Sequence, residues 1–447
     1  MRIAGVLTRP YDVTDWTFVV RALRSRNYRL FFSGQSISLI GTWMTRIATG
    51  WLVYRLTGSA VLLGTVSFAG QAPAFFLAPL AGVLVDLWDR HRTLVVTQVA
   101  SMLQSFAIAA LALTGVIKVW HIVALAVVQG IVNAFDMPAR QSFVVEMVDR
   151  REDLSNAIAL NSSMVNAARL VGPALAGVVI SAVGEAWCFV VDGVSYIAVI
   201  VSLLLMRIGR RAPALSHSKV GEQLREGWQY VARSAPIRSI LLLLALVSLA
   251  GMPYAVLMPV IASEVLHGGA NTLGVLMAAS GLGALAGAFT LAMRRTVLGL
   301  GTRIVTCSGL FGLSLIGFGW STHLWLSLLI LPVIGFSMMQ HMAASNTILQ
   351  TIVDDQKRGR VMAFYSMAFQ GMAPFGSLMA GALAAQIGTR WTLVVSGVLC
   401  VAGSVWFARR LKQIRTILRP VYVRLGILPE AALGVQEATV AQSPEAS

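Results

Sequence analysis

Five charged side chains stand inside long apolar runs of this sequence. They are Arg46, Asp136, Arg140, Arg169 and Asp192. A charge at the centre of a bilayer costs about 3 kcal/mol or more unless it faces water or a partner. Charges retained at such positions mark ion pathways, proton relays or binding sites, whereas charges that pair with one another serve the structure. The spacing of these five residues is therefore the first guide to their chemistry.

Two of the charges are spaced to pair on one helix. Asp136 precedes Arg140 by four residues, which is the favourable order for a helical ion pair. Such a pair is either a buried clamp or a proton-linked switch, since breaking it leaves an uncompensated charge. Asp192 has no neighbouring partner in the sequence, so Arg46 or Arg169 is its expected counterion. Without a counterion, this carboxyl group suits a proton carrier; a permanent salt bridge is the alternative.

Polar side chains accompany the charges along helical faces. In the first apolar run, polar residues at steps of three and four place Arg46 on a polar face. His341 shares a face with two serines, and it either touches a solute or is an ordinary satisfied histidine. We expect these residues to line an internal cavity for substrate and coupling ion. The cavity set is Arg46, Gln71, Gln129, Asn133, Asp136, Arg140, Asn166, Arg169, Asp192, His341 and Gln370.

The elements that must position these residues are membrane spans. Apolar residues make up 57% of the 447 residues and charged residues only 12%, which a soluble protein of this length does not show. A span needs about 20 apolar residues to cross the hydrocarbon core. The sequence contains twelve such runs between residues 29 and 410. An all-α membrane protein is therefore predicted.

The basic residues predict the orientation of these spans. Of 35 Lys and Arg residues, 29 fall in the two terminal segments and the loops on the same side, against three in the loops on the other side. Loops rich in positive charge remain in the cytoplasm, so we expect both termini there and the protein in the cell inner membrane. The net charge of +16 then reflects topology, and no soluble basic domain suggests nucleic-acid binding.

An internal repeat divides the chain into two halves. Residues 133–177 resemble residues 337–381, and each stretch ends in two glycines five apart. These glycines, at an offset of 204, are Gly172 and Gly177 in the first copy and Gly376 and Gly381 in the second. The predicted divisions are a cytoplasmic segment 1–27, a six-helix unit 28–207, a cytoplasmic linker 208–237, a second six-helix unit 238–410 and a partly disordered tail 411–447. Paired halves are typical of secondary transporters.

The loop after the second run, GVLVDLWDRHR, contains a motif. It resembles the loop between spans two and three of the major facilitator superfamily, which acts there as a conformational latch. The matching positions are Gly82, Asp86, Arg90 and Arg92, whereas Leu87 and Asp89 depart from the pattern. The resemblance implies a latch role for these residues, with Asp86 accepting hydrogen bonds from a neighbouring helix.

Further motifs extend the resemblance. The GPALAG stretch with Gly172, Pro173 and Gly177 resembles the antiporter motif of exporters, and PARQSFVVEMV and RGRVMAFYS resemble one subgroup. Residues 20–410 thus look like the group that contains the enterobactin exporter and macrolide efflux pumps, the transmembrane secretion effectors. The resemblance implies twelve transmembrane helices in two six-helix bundles and alternating access. It further implies export of a small amphiphilic solute, siderophore-like or drug-like, by proton antiport.

One departure from the drug antiporters concerns the fourth span. They carry an arginine three residues before Gln-Gly, where this chain has Ala126. Proton coupling by that arginine is therefore excluded, and coupling would have to use Asp136, Asp192, Glu146 or another acid. The intramembrane charges, three positive and two negative, favour an anionic solute.

The expected partners are a small solute, protons and the bilayer, with the chain acting as a monomer. No nucleotide-binding loop, nucleophile–base cluster or metal-ligand spacing occurs, so neither an enzyme nor a cofactor is predicted. Two alternatives remain open. One is a lysophospholipid or nutrient carrier of the same fold, and the other is a membrane sensor that transports nothing.

Overall fold

The computed structural model describes residues 20–207, 220–294, 296–425 and 427, and these residues are almost entirely helical. Each long apolar run has become a helix, because a backbone inside lipid must satisfy its own hydrogen bonds. The first six spans are α1 (Arg26–Thr57), α2 (Ala60–Leu87), α3 (Arg90–Leu113), α4 (Val119–Met147), α5 (Leu154–Val183) and α6 (Glu185–Leu204).

A short helix, Val220–Arg233, lies within the predicted linker and precedes the second half. Four spans of that half are regular: α8 (Ala270–Ala292), α9 (Leu300–Trp320), α10 (Leu324–Ile352) and α12 (Thr389–Arg424). We call the end where α1 begins and α12 ends the basic end, and the other the opposite end. The helix α12 continues past residue 410, so the first part of the predicted tail is helical.

The remaining two spans are interrupted. In α7 (Ala235–Val265), an α-helical start is followed by a π turn at Val247–Gly251 and a 3-10 turn at Met252–Ala255. In α11, Asp355–Ser366 and Ala373–Ile387 flank a π turn at Met367–Gly371. The hydroxyl of Ser248 donates to the carbonyl of Phe369, so the two π turns touch each other. Prolines close behind each turn, Pro253 and Pro374, cannot donate to the helical ladder.

Ten helices of the described chain are long and apolar enough to cross a membrane by length and composition alone. The other two predicted spans are α1, which carries the polar face with Arg46, and α11, which its π turn divides. Both pack within the same bundles as the ten. The protein is an all-α membrane protein with twelve transmembrane helices in two six-helix bundles, as predicted.

The two bundles repeat one packing scheme. In the first bundle α1 packs on α6, α2 on α4, and α3 on both α4 and α6. In the second bundle α7 packs on α12, α8 on α10, and α9 on both α10 and α12. The bundles meet along α2 with α11 and along α5 with α8. A pseudo-two-fold axis that relates the two bundles also relates these two contacts.

The repeated glycines form the tight contacts of this arrangement. A Cβ on Gly172 would lie 2.5 Å from Trp43 Cβ of α1, and one on Gly376 would collide with the carbonyl of Leu249 in α7. The second glycine of each copy faces the other bundle instead. A Cβ on Gly177 would lie 3.0 Å from the Cα of Gly274.

A Cβ on Gly381 would lie 2.6 Å from the carbonyl of Ala60 and 3.2 Å from the Cα of Gly64. Both second glycines thus pack backbone against backbone near the opposite end. Small residues permit this approach in membranes, where close packing rather than the hydrophobic effect holds helices together. The offset of 204 in the sequence therefore corresponds to equivalent positions in space.

Substituting Gly381 with Ala is expected to lower the melting temperature of the detergent-purified protein by several degrees, because α11 must move away from α2. The matched control is Gly82→Ala, since no heavy atom of the described chain lies within 4 Å of a Cβ there. That change is expected to leave the melting temperature unchanged or slightly higher, as Ala favours a helix over Gly by up to about 1 kcal/mol. Equal melting curves for both variants would contradict the packing role.

Candidate functional site

Two arginines from different helices meet on one tryptophan ring near the middle of the spans. The guanidinium carbon of Arg46 lies 4.7 Å from the ring centroid of Trp43, and that of Arg169 lies 5.3 Å from it. Trp43 and Arg46 belong to α1 and Arg169 to α5, and the two cations repel each other. The indole face attracts both, which offsets part of that repulsion. The ring therefore joins two like charges into one cluster.

This cluster faces the second bundle. Arg46, Gly50 and Tyr54 are spaced by four residues and share one face of α1. A Cβ on Gly50 would lie 3.5 Å from Pro259, and the Tyr54 hydroxyl donates to Glu264 at 2.8 Å, both on α7. The side chain of Arg46 is exposed, so there is open space around it between α1 and α7.

Arg169 completes the cluster from the side of α5. Its carbonyl would lie 3.0 Å from a Cβ on Gly281 of α8, so this part of α5 rests on the second bundle. The residue before Gly281, Ser280, is hydrogen bonded to the hydroxyl of Tyr254 of α7 at 2.7 Å. The site therefore has cations from the first bundle and hydroxyls from the second.

Neither arginine is neutralised by the described part of the chain. Arg46 and Arg169 form no ion pair and no side-chain hydrogen bond with any described residue, and the Nε atom of Arg169 is buried without a partner. An unmatched buried donor costs about 1 to 3 kcal/mol, more when charged. The cluster therefore contains two positively charged guanidinium groups whose N–H donors are not used by the described residues.

The predicted counterion role of these arginines for Asp192 is wrong. Asp192 is 2% exposed, and within the described chain its side-chain hydrogen bonds come from three hydroxyls: Thr45 at 3.0 Å, Ser105 at 2.8 Å and Thr42 at 3.5 Å. It forms no ion pair with any described cation. The reason is geometric, since Asp192 lies on the side of α1 that packs against α6, whereas Arg46 lies on the side that faces α7.

Asp136 has a different environment, and its predicted partner is present. It is 6% exposed and forms an ion pair with Arg140 one turn along α4. Thr97 and Gln98 of α3 also donate to its carboxylate, at 2.9 Å and 2.7 Å. The pair is thus a satisfied polar contact between α3 and α4 inside the first bundle.

The expected single cavity is therefore divided. Arg46 and Arg169 lie at the boundary between the bundles, whereas Asp136 and Asp192 lie between helices of the first bundle. The buried Asn166 donates to the carbonyl of Ser162, and Gln129 donates to Ser101 and Asn133 at 3.2 Å each. Asn133 itself is exposed.

Gln71, predicted to line the cavity, bonds within α2 to a serine that contacts the second bundle. Its amide donates to Ser67 Oγ at 2.9 Å, and Ser67 bonds to Ser377 of α11 at 3.1 Å. In the second bundle Gln370 is exposed within the π turn of α11. His341 is only 1% exposed, so its ring lies among the helices of that bundle and does not line an open cavity here.

The latch residues lie at the basic end. Arg90 forms an ion pair with Glu146 at 2.9 Å, which ties the start of α3 to the end of α4. Asp89 departs from the motif, and its side chain caps α3 by accepting from the Arg92 backbone N–H at 2.8 Å. Arg92 itself is exposed, and no heavy atom of another described helix lies within 4 Å of a Cβ built on Gly82. The side chain of Asp86 lies outside the described residues.

Sequence reasoning missed several residues that shape these sites. Trp43 lies one helical turn before Arg46, so the two residues share a helical face. The sequence does not indicate, however, that two arginines contact this one tryptophan ring. The serine and threonines around Asp192 are equally ordinary. Within the described chain no three His, Cys, Asp or Glu side chains lie close enough to hold a metal ion.

Two pseudo-symmetric six-helix bundles, joined by a linker and enclosing charges near mid-depth, define a membrane transporter of the major facilitator superfamily. The chain belongs to its transmembrane secretion effector family, whose model matches residues 19–418. The fold and the relatives are those of transporters rather than enzymes.

Three relatives illustrate the match. The staphyloferrin A transporter of Staphylococcus aureus is 25% identical over 86% of this chain and 96% of its own length. The multidrug efflux pump Tap of Mycolicibacterium fortuitum is 26% identical over 85% of this chain and 95% of its own. A bacterial homolog of the human lysosomal transporter Spinster, solved inward-facing and unoccupied, has a TM-score of 0.68 at 14% identity, over 89% and 98% of the two chains.

Proposed function

We propose that this protein exports a small amphiphilic solute from the cytoplasm by alternating access, driven by proton antiport. The observation that carries the proposal is the open pair of arginines where the bundles meet near mid-depth, since transporter sites lie at the interface between repeats. Relatives named for siderophore transport and for multidrug efflux support a siderophore-like or drug-like solute.

The orientation follows from charge. The loops and ends at the basic end carry most of the Lys and Arg residues, so we place this end and both termini in the cytoplasm of a bacterial cell. Close contacts between the bundles at Gly177 and Gly381 then lie near the outer surface. This packing supports a conformation closed to the outside. Because one chain supplies both bundles, we propose that the monomer is the working unit.

Asp192 is the best candidate to carry the proton. A hydroxyl can donate to a carboxylate and can also accept from a carboxylic acid, so the cage of Thr42, Thr45 and Ser105 satisfies either state. Asp136 has a different arrangement, because its carboxylate forms an ion pair with Arg140 and accepts hydrogen bonds from Thr97 and Gln98, which together join α3 to α4. Glu146, the third acid that the sequence suggested, is paired with Arg90 at 2.9 Å, so the geometry favours Asp192.

The helix α1 connects the proton site with the solute site. Thr42 and Thr45 bind Asp192, and Arg46, one helical turn after Thr42, lies on the face of α1 that turns towards the second bundle. Loss or gain of a proton at Asp192 changes the strength of its hydrogen bonds with Thr42 and Thr45. The position of α1 relative to α6 changes with them. A shift of α1 moves Arg46 relative to Arg169, which couples protonation to solute affinity.

The test is proton release on solute binding by the purified protein, measured with a pH-sensitive dye in weakly buffered detergent. The solutes would be a panel of siderophores, macrolides and lysolipids. We expect release with one solute class and uptake of that solute into inside-out vesicles when a proton gradient is imposed. Demonstrable binding without release or gradient-driven uptake would contradict antiport.

A further inference from the structure

We infer that Arg46, Trp43 and Arg169 form a binding site for an organic dianion, a solute with two carboxylate groups beside an apolar or aromatic body. The inference rests on the proposed function, because it names the solute class for the same transport site. It starts from the charges that the helices of the first bundle leave uncompensated.

The charge balance near mid-depth is uneven. Asp136 and Arg140 neutralise each other within one helix. Asp192 is enclosed by hydroxyls of α1 and α3, and it carries no charge when it holds a proton. Arg46 and Arg169 remain, with no acid of the described chain beside them. Two positive charges held together in a low-dielectric interior are stabilised most by two negative charges.

The geometry leaves both cations free to bind anions. A guanidinium that stacks on a ring uses its flat face, so its N–H edge can still form two parallel hydrogen bonds with a carboxylate. Both guanidiniums contact one indole, so their separation cannot exceed the sum of their distances to it. One small molecule with two carboxylates can therefore span the two arginines.

The surroundings favour a solute over a lipid headgroup. Arg169 lies at the middle of α5, about 15 Å from either edge of the hydrocarbon core at 1.5 Å per residue. A phospholipid headgroup at the surface does not reach that depth. The hydroxyl of Tyr254, bonded to Ser280, adds a polar group from the second bundle. A bound dianion would thus contact both bundles, as alternating access requires.

Three probes that share one ring test the charge requirement: phthalate, benzoate and dimethyl phthalate, with two, one and no negative charges. Their dissociation constants would be measured by titration calorimetry at pH 7.5 with wild-type protein in an uncharged detergent. We expect phthalate to bind at least tenfold more tightly than benzoate, and dimethyl phthalate not to bind. Equal affinities for the three would overturn the inference without any variant.

Variants then locate the site. Arg46→Gln and Arg169→Gln are each expected to weaken phthalate binding at least tenfold, and Arg46→Lys, which retains the charge, to weaken it less. The matched control is Arg410→Gln, since Arg410 also stacks on a tryptophan, Trp406, at 4.8 Å. Unchanged phthalate affinity in Arg46→Gln and Arg169→Gln proteins with normal melting curves would overturn the assignment.

Inorganic phosphate distinguishes a general anion site from one for organic solutes. Phosphate that binds as tightly as phthalate would contradict a site built for an organic dianion. The proposed function is tested separately by gradient-driven uptake. If uptake of some solute occurs while phthalate does not bind, the dianion inference fails and export stands. If phthalate binds as expected but no solute is ever transported, the site stands and export fails.

Discussion

Asp192→Asn protein is expected to bind solute but to release no proton, and its gradient-driven transport should fall at least 100-fold. The asparagine side chain has the size of aspartate and can still bond to Thr45 and Ser105, so the packing of α6 against α1 is retained. It cannot take up or lose a proton near neutral pH. Export that depends on proton exchange therefore stops, whereas exchange of solute down its own gradient continues.

The measurement compares two assays on the same reconstituted protein. Uptake driven by a pH gradient should be lost in Asp192→Asn, and counterflow of labelled solute without a gradient should remain within about twofold of wild type. Glu264→Gln serves as a control, since this carboxylate lies at the opposite end, bonded to Tyr54. Undiminished gradient-driven uptake by Asp192→Asn would exclude this residue as the carrier.

Asp136→Leu is expected to be the most destabilising single substitution in the first bundle. It leaves Arg140 without its counterion and removes the acceptor shared by Thr97 and Gln98. Breaking a buried ion pair by removing one partner costs about 3 to 5 kcal/mol. We expect a large fall in the melting temperature and reduced recovery of folded protein.

A second variant separates this effect from a role in coupling. Because an apolar pair replaces a buried ion pair at little cost, Asp136→Leu combined with Arg140→Met should recover most of the lost stability. The double variant should also still release protons on solute binding. If Arg140→Met does not restore the melting temperature, the stabilising role of the pair is wrong. If the stable double variant releases no protons, Asp136 rather than Asp192 is the carrier.

The fold was largely predictable from the sequence, for a specific reason. Lipid makes each span a continuous apolar run, and the repeat at an offset of 204 identifies Gly177 and Gly381 as equivalent positions from the sequence alone. The i,i+4 pair of Asp136 and Arg140 was equally accessible, since both partners lie on one helix. The first and last of these inferences use spacing along one helix, and the repeat compares one half of the sequence with the other, so none needs to know how the helices pack.

The surroundings of Asp192 could not be predicted in the same way. Its hydrogen-bond donors come from residues 87 to 150 positions away along the chain, on α1 and α3. Which face of α1 meets α6 depends on the packing of whole helices. Proximity in depth made Arg46 and Arg169 plausible counterions, but the two arginines lie on the side that meets the second bundle.

The length of α12 shows a different limit. Beyond residue 410 its sequence is basic and reads as a tail, yet the helix continues to Arg424. Ile414 and Leu418 are buried along this extension, and Arg415 donates to Thr302 at 2.5 Å. The two buried apolar residues lie among basic residues in the sequence, so the average hydropathy of this segment is low and does not indicate a packed helix.

The backbone contacts of Gly64 with Gly381 and of Gly177 with Gly274 also bear on the electrical tightness of the protein. Where two helix backbones touch, no room is left for a chain of water molecules between them, and a proton cannot hop across such a seam. A carrier that handles ions must not also leak them, since leakage would discharge the energised membrane. We therefore expect the paired glycines to prevent proton leakage between the bundles as well as to join them.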